Sequence, residues 1–501
     1  MFQTMVLLLF RKEQKLVTKD LSILFVASEV EGLIKSGGLA DVAQALPKAL
    51  LGLNQDVRIA MPAYSKIAGI EQATVVLSTT LEHWPHTEYQ VRELSVVGVT
   101  VYAIECAQFF DRSEMYAENN VAYADNGARF SFFSAASLDM LPKLGFQPQI
   151  VHANDWHTGF IPFLLNHRYG EHAFYQGMKS VLSIHNAVFK GLFSYDEVQS
   201  LPEFHSYYVP DAAVSPSHVT MLKAGVMNAS KINAVSPTYA QELTTELGSH
   251  GMGKYFSQRA HDLVGILNGC DYSSWNPTTD LSLPQTYKAE AKSMQEGKQA
   301  CKRALQERAG LEVKDTAMYG MVCRLTNQKG IHYLLPILAD FLKHDVQIVI
   351  VGTGDPSLAS QLRVIASQFP HKFAFLEAYD NDLAHLVEAG SDFFLMPSEF
   401  EPCGLNQIYS MAYGTLPIVR AVGGLKDSVV DYDTNSDLAT GFIFHEPEPY
   451  ALLLVMQRSL LLYLQYPEEI ERLKLFAMQQ NFSWSTAAQE YLSLYYAALD
   501  A

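Results

Sequence analysis

The stretch that most restricts how this chain folds is Phe393–Asn406, FFLMPSEFEPCGLN. Its run Phe393-Phe394-Leu395-Met396 has the unbroken apolarity of a strand buried on both faces, as in a parallel sheet. Pro397-Ser398 ends that strand, and Asn406-Gln407-Ile408-Tyr409 begins an apolar-periodic helix. Between them lies an acidic loop closed by Gly404. A carboxylate at such a joint, here Glu401, accepts hydrogen bonds from a polar ligand while the N–H groups after it remain free to donate. The same joint also serves as plain structure with a solvated Glu401.

The handover from strand to helix recurs along the chain, which predicts an α/β protein. Ser22–Ser28 reads as the first strand, and Gly37-Gly38 opens a helix to about Leu51. Asp56–Met61 and Val99–Glu105 follow as strands, Arg129–Leu144 as a helix, then Ile150–Ala153 and Val181–His185 as strands. Ile232–Ser236 and Leu263–Leu267 close this half. Residues 276–298, rich in Pro, Thr, Ser and Lys at their start, read as linker and hinge. Beyond them the strand count restarts with Met318–Cys323, Gln347–Val351, Phe373–Glu377, Asp392–Met396 and Leu416–Arg420. Two consecutive domains are thus expected, 21–275 and 299–480, with residues 481–501 as a final helix. Tyr491, Tyr495 and Tyr496 on that helix fall at helical spacing and pack on one domain or the other.

The length of 501 residues accommodates these domains. A net charge of −17 argues against nucleic acid as partner but leaves room for a small anion held by a local basic patch. The five cysteines lie far apart and form neither a disulfide framework nor a zinc spacing, which suits a reducing cytosol. Residues 1–20 are an extension: Arg11-Lys12 follows the apolar Met5–Phe10, the reverse of a secretory signal. No run has the roughly 20 apolar residues of a membrane span. A soluble, cytoplasmic protein is expected.

Polar residues at strand ends mark where open parallel sheets bind ligands. His152–His157 and His185-Asn186 form two such clusters in the first half. In the second half Arg324 with Lys329, the turn Gly352–Asp355, and Gly423-Gly424 before a helix all favour an anion, so a phosphorylated ligand is expected in a cleft between the domains. Asp431-Tyr432-Asp433 and Asp380-Asn381-Asp382 read as surface loop or helix cap rather than metal ligands. Gly352-Thr353-Gly354 lacks the third glycine of a dinucleotide fingerprint, and no serine-centred nucleophile elbow is present.

These motifs carry a resemblance. Lys35–Asp41, His152–His157, Ser183–Asn186 with Lys190–Phe193, Ala234–Tyr239, Gly265–Asp271, Arg324–Gly330, Gly352–Pro356, Glu401–Gln407 and Phe482-Ser483-Trp484 occur in the order found in bacterial glycogen synthases and plant starch synthases. The chain resembles that family from about Ser22 to the final helix. The resemblance implies a glycosyltransferase B fold, two Rossmann-like domains facing a deep cleft. It implies retaining transfer of glucose from ADP-glucose, or UDP-glucose in some members, to the non-reducing end of an α-1,4-glucan such as glycogen. It also implies that the final helix returns to the first domain and that neither metal nor pyridoxal phosphate is needed.

By matching position, Arg324 and Lys329 would neutralise the diphosphate, and Glu401 would hold glucose hydroxyls beside the N–H groups of Cys403, Gly404 and Leu405. Lys35 and Gly38 would approach the phosphates from the first domain. His185 would lie under the glucose ring and Asp155 near the reaction centre. Tyr379 would stack on adenine, with Tyr116 and Asn268 as further contacts to the sugar nucleotide. Gly354, Gly423, Gly424 and Leu425 complete the expected binding set.

The chain departs from the family at Val422 (usually Thr), Glu399 (Arg), Ala378 (Gly) and Gly32 (Pro), which bears on affinity and nucleotide preference. Two other readings stand beside this one: another enzyme of the same fold, such as a glucan phosphorylase or a sugar-nucleotide epimerase, and a catalytically weak glucan-binding or regulatory protein. Nothing in the sequence sets an oligomeric state.

Overall fold

The computed structural model describes residues 20–81, 84, 87–119, 121–205, 209–378 and 380–501. The expected extension, Asp20 aside, and Tyr379 lie outside them. Two sheets organise the chain. The second is wholly parallel, built from Ala317–Val322, Val346–Val351, Phe373–Leu376, Phe393–Met396, Leu416–Arg420 and Phe442–Phe444. Numbered as they appear, these strands stand in the order 3-2-1-4-5-6. Their apolar runs are buried on both faces because helices cover each side.

The first sheet repeats the pattern. Its parallel strands are Ser22–Val26, Asp56–Pro62, Val99–Glu105, Ile150–Asn154, Lys179–Ile184, Lys231–Ala234 and Leu263–Gly265, in the order 7-6-5-4-1-2-3. Two antiparallel strands, Glu88–Val96 and Thr74–Thr80, extend it at the edge beyond Val99–Glu105. In each sheet the strand order reverses between the first and fourth strands. A crevice opens there at the carboxyl ends, where such sheets bind ligands. The loops leaving these points are Ala27–Gly37 and Asp155–Gly159 in one sheet, Cys323–Gly330 and Pro397–Leu405 in the other. Topology thereby gathers the sequence-flagged residues before any side chain is considered.

The final helix, Trp484–Leu499, joins the core of the first domain, with Tyr491 and Tyr495 buried. Its stripe is polar at the tips: the Tyr495 hydroxyl meets His152 Nδ1 at 2.8 Å, and the Tyr491 hydroxyl meets the Asn233 amide at 2.8 Å. Burial pushes the His152 imidazole down to about 3, so it is neutral and needs both ring nitrogens satisfied. Tyr495→Phe is expected to leave Nδ1 unpaired and cost about 1–3 kcal/mol, read as a lower midpoint in calorimetry. An unchanged midpoint would contradict this.

The segment 276–298 is not a free hinge. Tyr287 is buried and donates to the Tyr413 carbonyl at 2.8 Å, while Asp280 pairs with His385 at 2.7 Å. Residues from Ala291 already belong to the helix Ala291–Ala309. Just before this segment, Trp275 lies flat between His385 and Tyr409, with ring centroids 3.8 and 3.9 Å away. The chain crosses between the domains earlier, beside its own return. Cys270 N–H donates to the Phe482 carbonyl at 2.6 Å, and Gly269 lies so close to Trp484 that an added Cβ would stand 2.6 Å from the Trp484 nitrogen. Among the described residues no helix is long and apolar enough to cross a membrane.

Candidate active site

A cleft of about 1020 Å³ separates the domains and is lined from both. On the first-domain side, Glu29 is buried and accepts from the N–H groups of Ser36 and, at 3.2 Å, Gly37. Gly38 then starts the helix Gly38–Gly52. Lys35 is held by Glu31 at 2.7 Å and Asp41 at 2.6 Å. Partial burial works against its charge, yet these carboxylates keep the ammonium above its usual range. The glycine turn is thus pre-formed by one carboxylate, and its lysine is tethered by two.

Asp155 leaves its strand with a backbone φ of 55°, a left-handed conformation costly for a residue with a Cβ. The bend aims the carboxylate back at the next strand, where Oδ1 accepts from His185 N–H at 2.7 Å and Asn186 N–H at 3.4 Å. Burial nevertheless pushes its pKa up to about 7. His185 Nε2 lies 2.9 Å from Asn154 Oδ1, and the Asn154 amide N–H groups are given to the Val26 and His152 carbonyls. The Asn154 oxygen is therefore the acceptor, so His185 carries its proton on Nε2 and offers Nδ1 as an acceptor. Burial lowers this imidazole to about 4, leaving it neutral. Tyr116 hydrogen-bonds Ser28 Oγ at 2.7 Å and packs on His157. Asn268 is buried at the crossing, and its Oδ1 has no partner among the described residues.

On the second-domain side, Lys329 Nζ stands 2.5 Å from Glu401 Oε2, which also accepts from Ser398 Oγ at 3.1 Å. Gly330, with φ of 73°, brings this loop against Pro397: an added Cβ would lie 1.9 Å from the Pro397 carbonyl oxygen. Arg324 is exposed toward the cleft and no carboxylate pairs with it among the described residues. The N–H groups of Cys403, Gly404 and Leu405 likewise find no acceptor among the described residues, although all three residues line the cleft. An unpaired cation, a lysine–carboxylate pair and a run of open N–H groups together suit a ligand with both an anionic and a hydroxylated part.

Other expected residues stand elsewhere. Gly354 is zipped to the Arg324 loop through an isolated bridge to Leu325, so Gly352 and Thr353 line the cleft in its place. Gly423, Gly424 and Leu425 do not line it, and their N–H groups are engaged. Gly423 donates to Glu242 of the first domain at 3.0 Å, Gly424 to the Glu401 carbonyl at 3.2 Å, and Leu425 to the Val422 carbonyl at 3.1 Å. The glycine pair supports the Glu401 loop and docks on the first domain. Ser236 Oγ donates to the Pro402 carbonyl at 2.6 Å and Thr238 Oγ1 to Asp427 at 2.6 Å across the same boundary.

Among the departures, Glu399 is exposed and outside the cleft lining, Val422 is buried with apolar neighbours, and Gly32 has a φ of 86°, which proline cannot adopt. Asp380 caps the helix Asn381–Gly390 by accepting from Leu383 N–H. Among the described residues no group of three or more His, Cys, Asp or Glu side chains is placed to hold a metal ion. Sequence reading missed Glu29 and Glu242, whose partners are set by tertiary contact.

Fold and cleft define a glycosyltransferase of the B type, with two nucleotide-binding-type domains sharing one site. Residues 22–258 match the starch synthase catalytic domain model, and residues 303–470 match glycosyl transferases group 1. The chain is 70% identical over 483 residues to a glycogen synthase of Vibrio atlanticus, covering 96% of this chain and 100% of that one. It is 60% identical over 477 residues to one of Vibrio cholerae, covering 95% and 99%. The catalytic domain of starch synthase IV from Arabidopsis thaliana, solved bound to ADP and acarbose, superposes with a TM-score of 0.84 at 31% identity over 96% of this chain and 100% of that one. A sucrose-phosphate synthase of Thermosynechococcus elongatus, at 17% identity and a TM-score of 0.58 over 95% and 98% of the two chains, shares the fold. The chain belongs to the glycogen synthase and starch synthase family.

Proposed function

We propose that this protein transfers glucose from ADP-glucose to the non-reducing end of an α-1,4-glucan such as glycogen, with retention, in the cytoplasm. The observation that carries the reading is the Lys329–Glu401 pair beside Arg324, which no carboxylate pairs among the described residues, placed across one cleft from Asp155 and His185. As the sugar–phosphate bond breaks, negative charge gathers on the departing ADP. Arg324 and Lys329 are fixed cations that stabilise it. Glu401 and the open N–H groups of Cys403, Gly404 and Leu405 hold the glucose hydroxyls. Lys35 and Gly38 meet the phosphates from the first domain once Lys35 exchanges a carboxylate for them.

The Asp155 carboxylate lies by the reaction centre, where it stabilises positive charge developing on the sugar. His185, neutral, offers Nδ1 to a substrate hydroxyl. Asn268 Oδ1, which has no partner among the described residues, suits a further hydroxyl donor. Tyr116 borders the same wall, and Tyr379 stacks on adenine. This chemistry uses no metal and no pyridoxal phosphate.

The test is nucleotide release from ADP-glucose and from UDP-glucose, with and without glycogen, in chelator. Glycogen-dependent ADP release, undiminished by the chelator, is expected. Release from UDP-glucose alone, dependence on added metal, or glycogen binding without release would contradict the proposal.

A further inference from the structure

The turn that follows His185 presents an aromatic ring that the steps above do not use. Phe189 lines the cleft and is 57% exposed, alone among the described phenylalanines in standing more than half exposed. Unlike an apolar side chain scattered on the outer surface, this ring stands on a concave wall, where a ligand can cover it. The turn beneath it is rigid. Val188 N–H donates to Asn186 Oδ1 at 3.1 Å, Ala187 N–H to the Tyr239 hydroxyl at 2.9 Å, and Leu222 N–H to the Lys190 carbonyl at 3.1 Å. Gly191, with φ of 60°, lies against the Trp156 ring so closely that an added Cβ would stand 2.5 Å from it. Phe189 is therefore held out into the cleft.

The charge around the ring says what it faces. Two of the three cations that suit a diphosphate, Arg324 and Lys329, belong to the opposite domain, and the third, Lys35, sits at the glycine turn. On the first-domain wall Glu29, Glu31, Lys35 and Asp41 gather at the glycine turn, where Lys35 is paired with Glu31 and Asp41; the lining residues Tyr116, Ala117, Ala122 and Asn126 are uncharged. Lys190, adjacent in the chain, turns its ammonium to the His250 carbonyl. An exposed ring on a concave wall with uncharged stretches fits a neutral, polyhydroxylated ligand: pyranose rings bury their C–H faces against aromatic rings and turn their hydroxyls outward.

We propose that Phe189 is the platform on which glucose units of the incoming α-glucan stack, so that it governs the affinity for the acceptor and not for the sugar nucleotide. This rests on the transfer reaction proposed above. Steady-state kinetics with maltoheptaose and with ADP-glucose separate the two substrates. Phe189→Ala should raise the KM for maltoheptaose about tenfold or more and leave the KM for ADP-glucose within about twofold, and Phe189→Trp or Phe189→Tyr should restore acceptor KM to within about threefold. The melting midpoint should not move, since the ring contributes little to the core.

An unchanged acceptor KM, a parallel rise in both KM values, or a lowered midpoint that neither aromatic replacement restores would overturn the inference. Parent protein that releases no ADP with glycogen would overturn the proposed reaction instead.

Discussion

Lys329→Ala is expected to lower kcat/KM by about three orders of magnitude, as is Glu401→Ala, because each removes a group proposed to act on charge or hydroxyls in the transition state. The two are not independent. Their side chains touch at 2.5 Å and both are largely shielded, so removing one alters the other. Without Lys329, the buried Glu401 carboxylate keeps only the Ser398 hydroxyl as a partner among the described residues. The double variant is therefore expected to be no worse than about the poorer single one, a non-additivity that stopped-assay kinetics reads directly. Activity of either single variant within a few-fold of the parent would mean the site lies elsewhere.

Asp155→Asn is expected to cut turnover by about two orders of magnitude and, at the same time, to stabilise the protein at alkaline pH. The carboxyl has a folded pKa of about 7 against an ordinary value of 3.8, with burial as the cause. Below about pH 4 folded and unfolded chains both hold the proton, and nothing is lost. As pH rises toward 7, the unfolded chain ionises first, so the folded state is penalised, by on the order of 4 kcal/mol once Asp155 is itself ionised. An asparagine in its place escapes that penalty while its oxygen still accepts from the His185 and Asn186 N–H groups. The variant should melt higher than the parent at pH 8 and close to it at pH 4.

Activity follows the opposite sense. The ionised form is the working one, so kcat/KM of the parent should rise with pH through an apparent pKa near 7, and that limb should vanish in the variant. A parent profile flat between pH 5 and 8 would contradict the assignment.

Much of this architecture is legible in the residues, for a physical reason. A parallel strand buried on both faces is an unbroken apolar run, so Ser22–Val26 and Phe393–Met396 announce themselves. The edge pair Thr74–Thr80 and Glu88–Val96 does not. Its strands are largely exposed, mix polar residues throughout and pair antiparallel, Glu88–Val96 with both Thr74–Thr80 and Val99–Glu105. Cleft-lining residues that follow strand ends, such as Asp155, His185, Arg324 and Glu401, are legible for the same topological reason as the sheets.

What stays hidden is partnership over long separations. Composition made 276–298 look like a linker, yet Asp280 finds His385 across 105 residues. The glycine pair at Gly423 looked like an anion site, but the carboxylate that meets it, Glu242, lies 181 residues away. No local pattern encodes either contact.

The central claim is that both domains grip one sugar diphosphate, with the second domain's basic pair on its phosphates. A crystal structure with ADP-glucose bound tests it most directly. The account predicts phosphate oxygens within hydrogen-bonding distance of Arg324 and Lys329 and the glucose hydroxyls on Glu401. Phosphates settled away from both cations, or a nucleotide bound to one domain with Asp155 and His185 facing empty solvent, would contradict it.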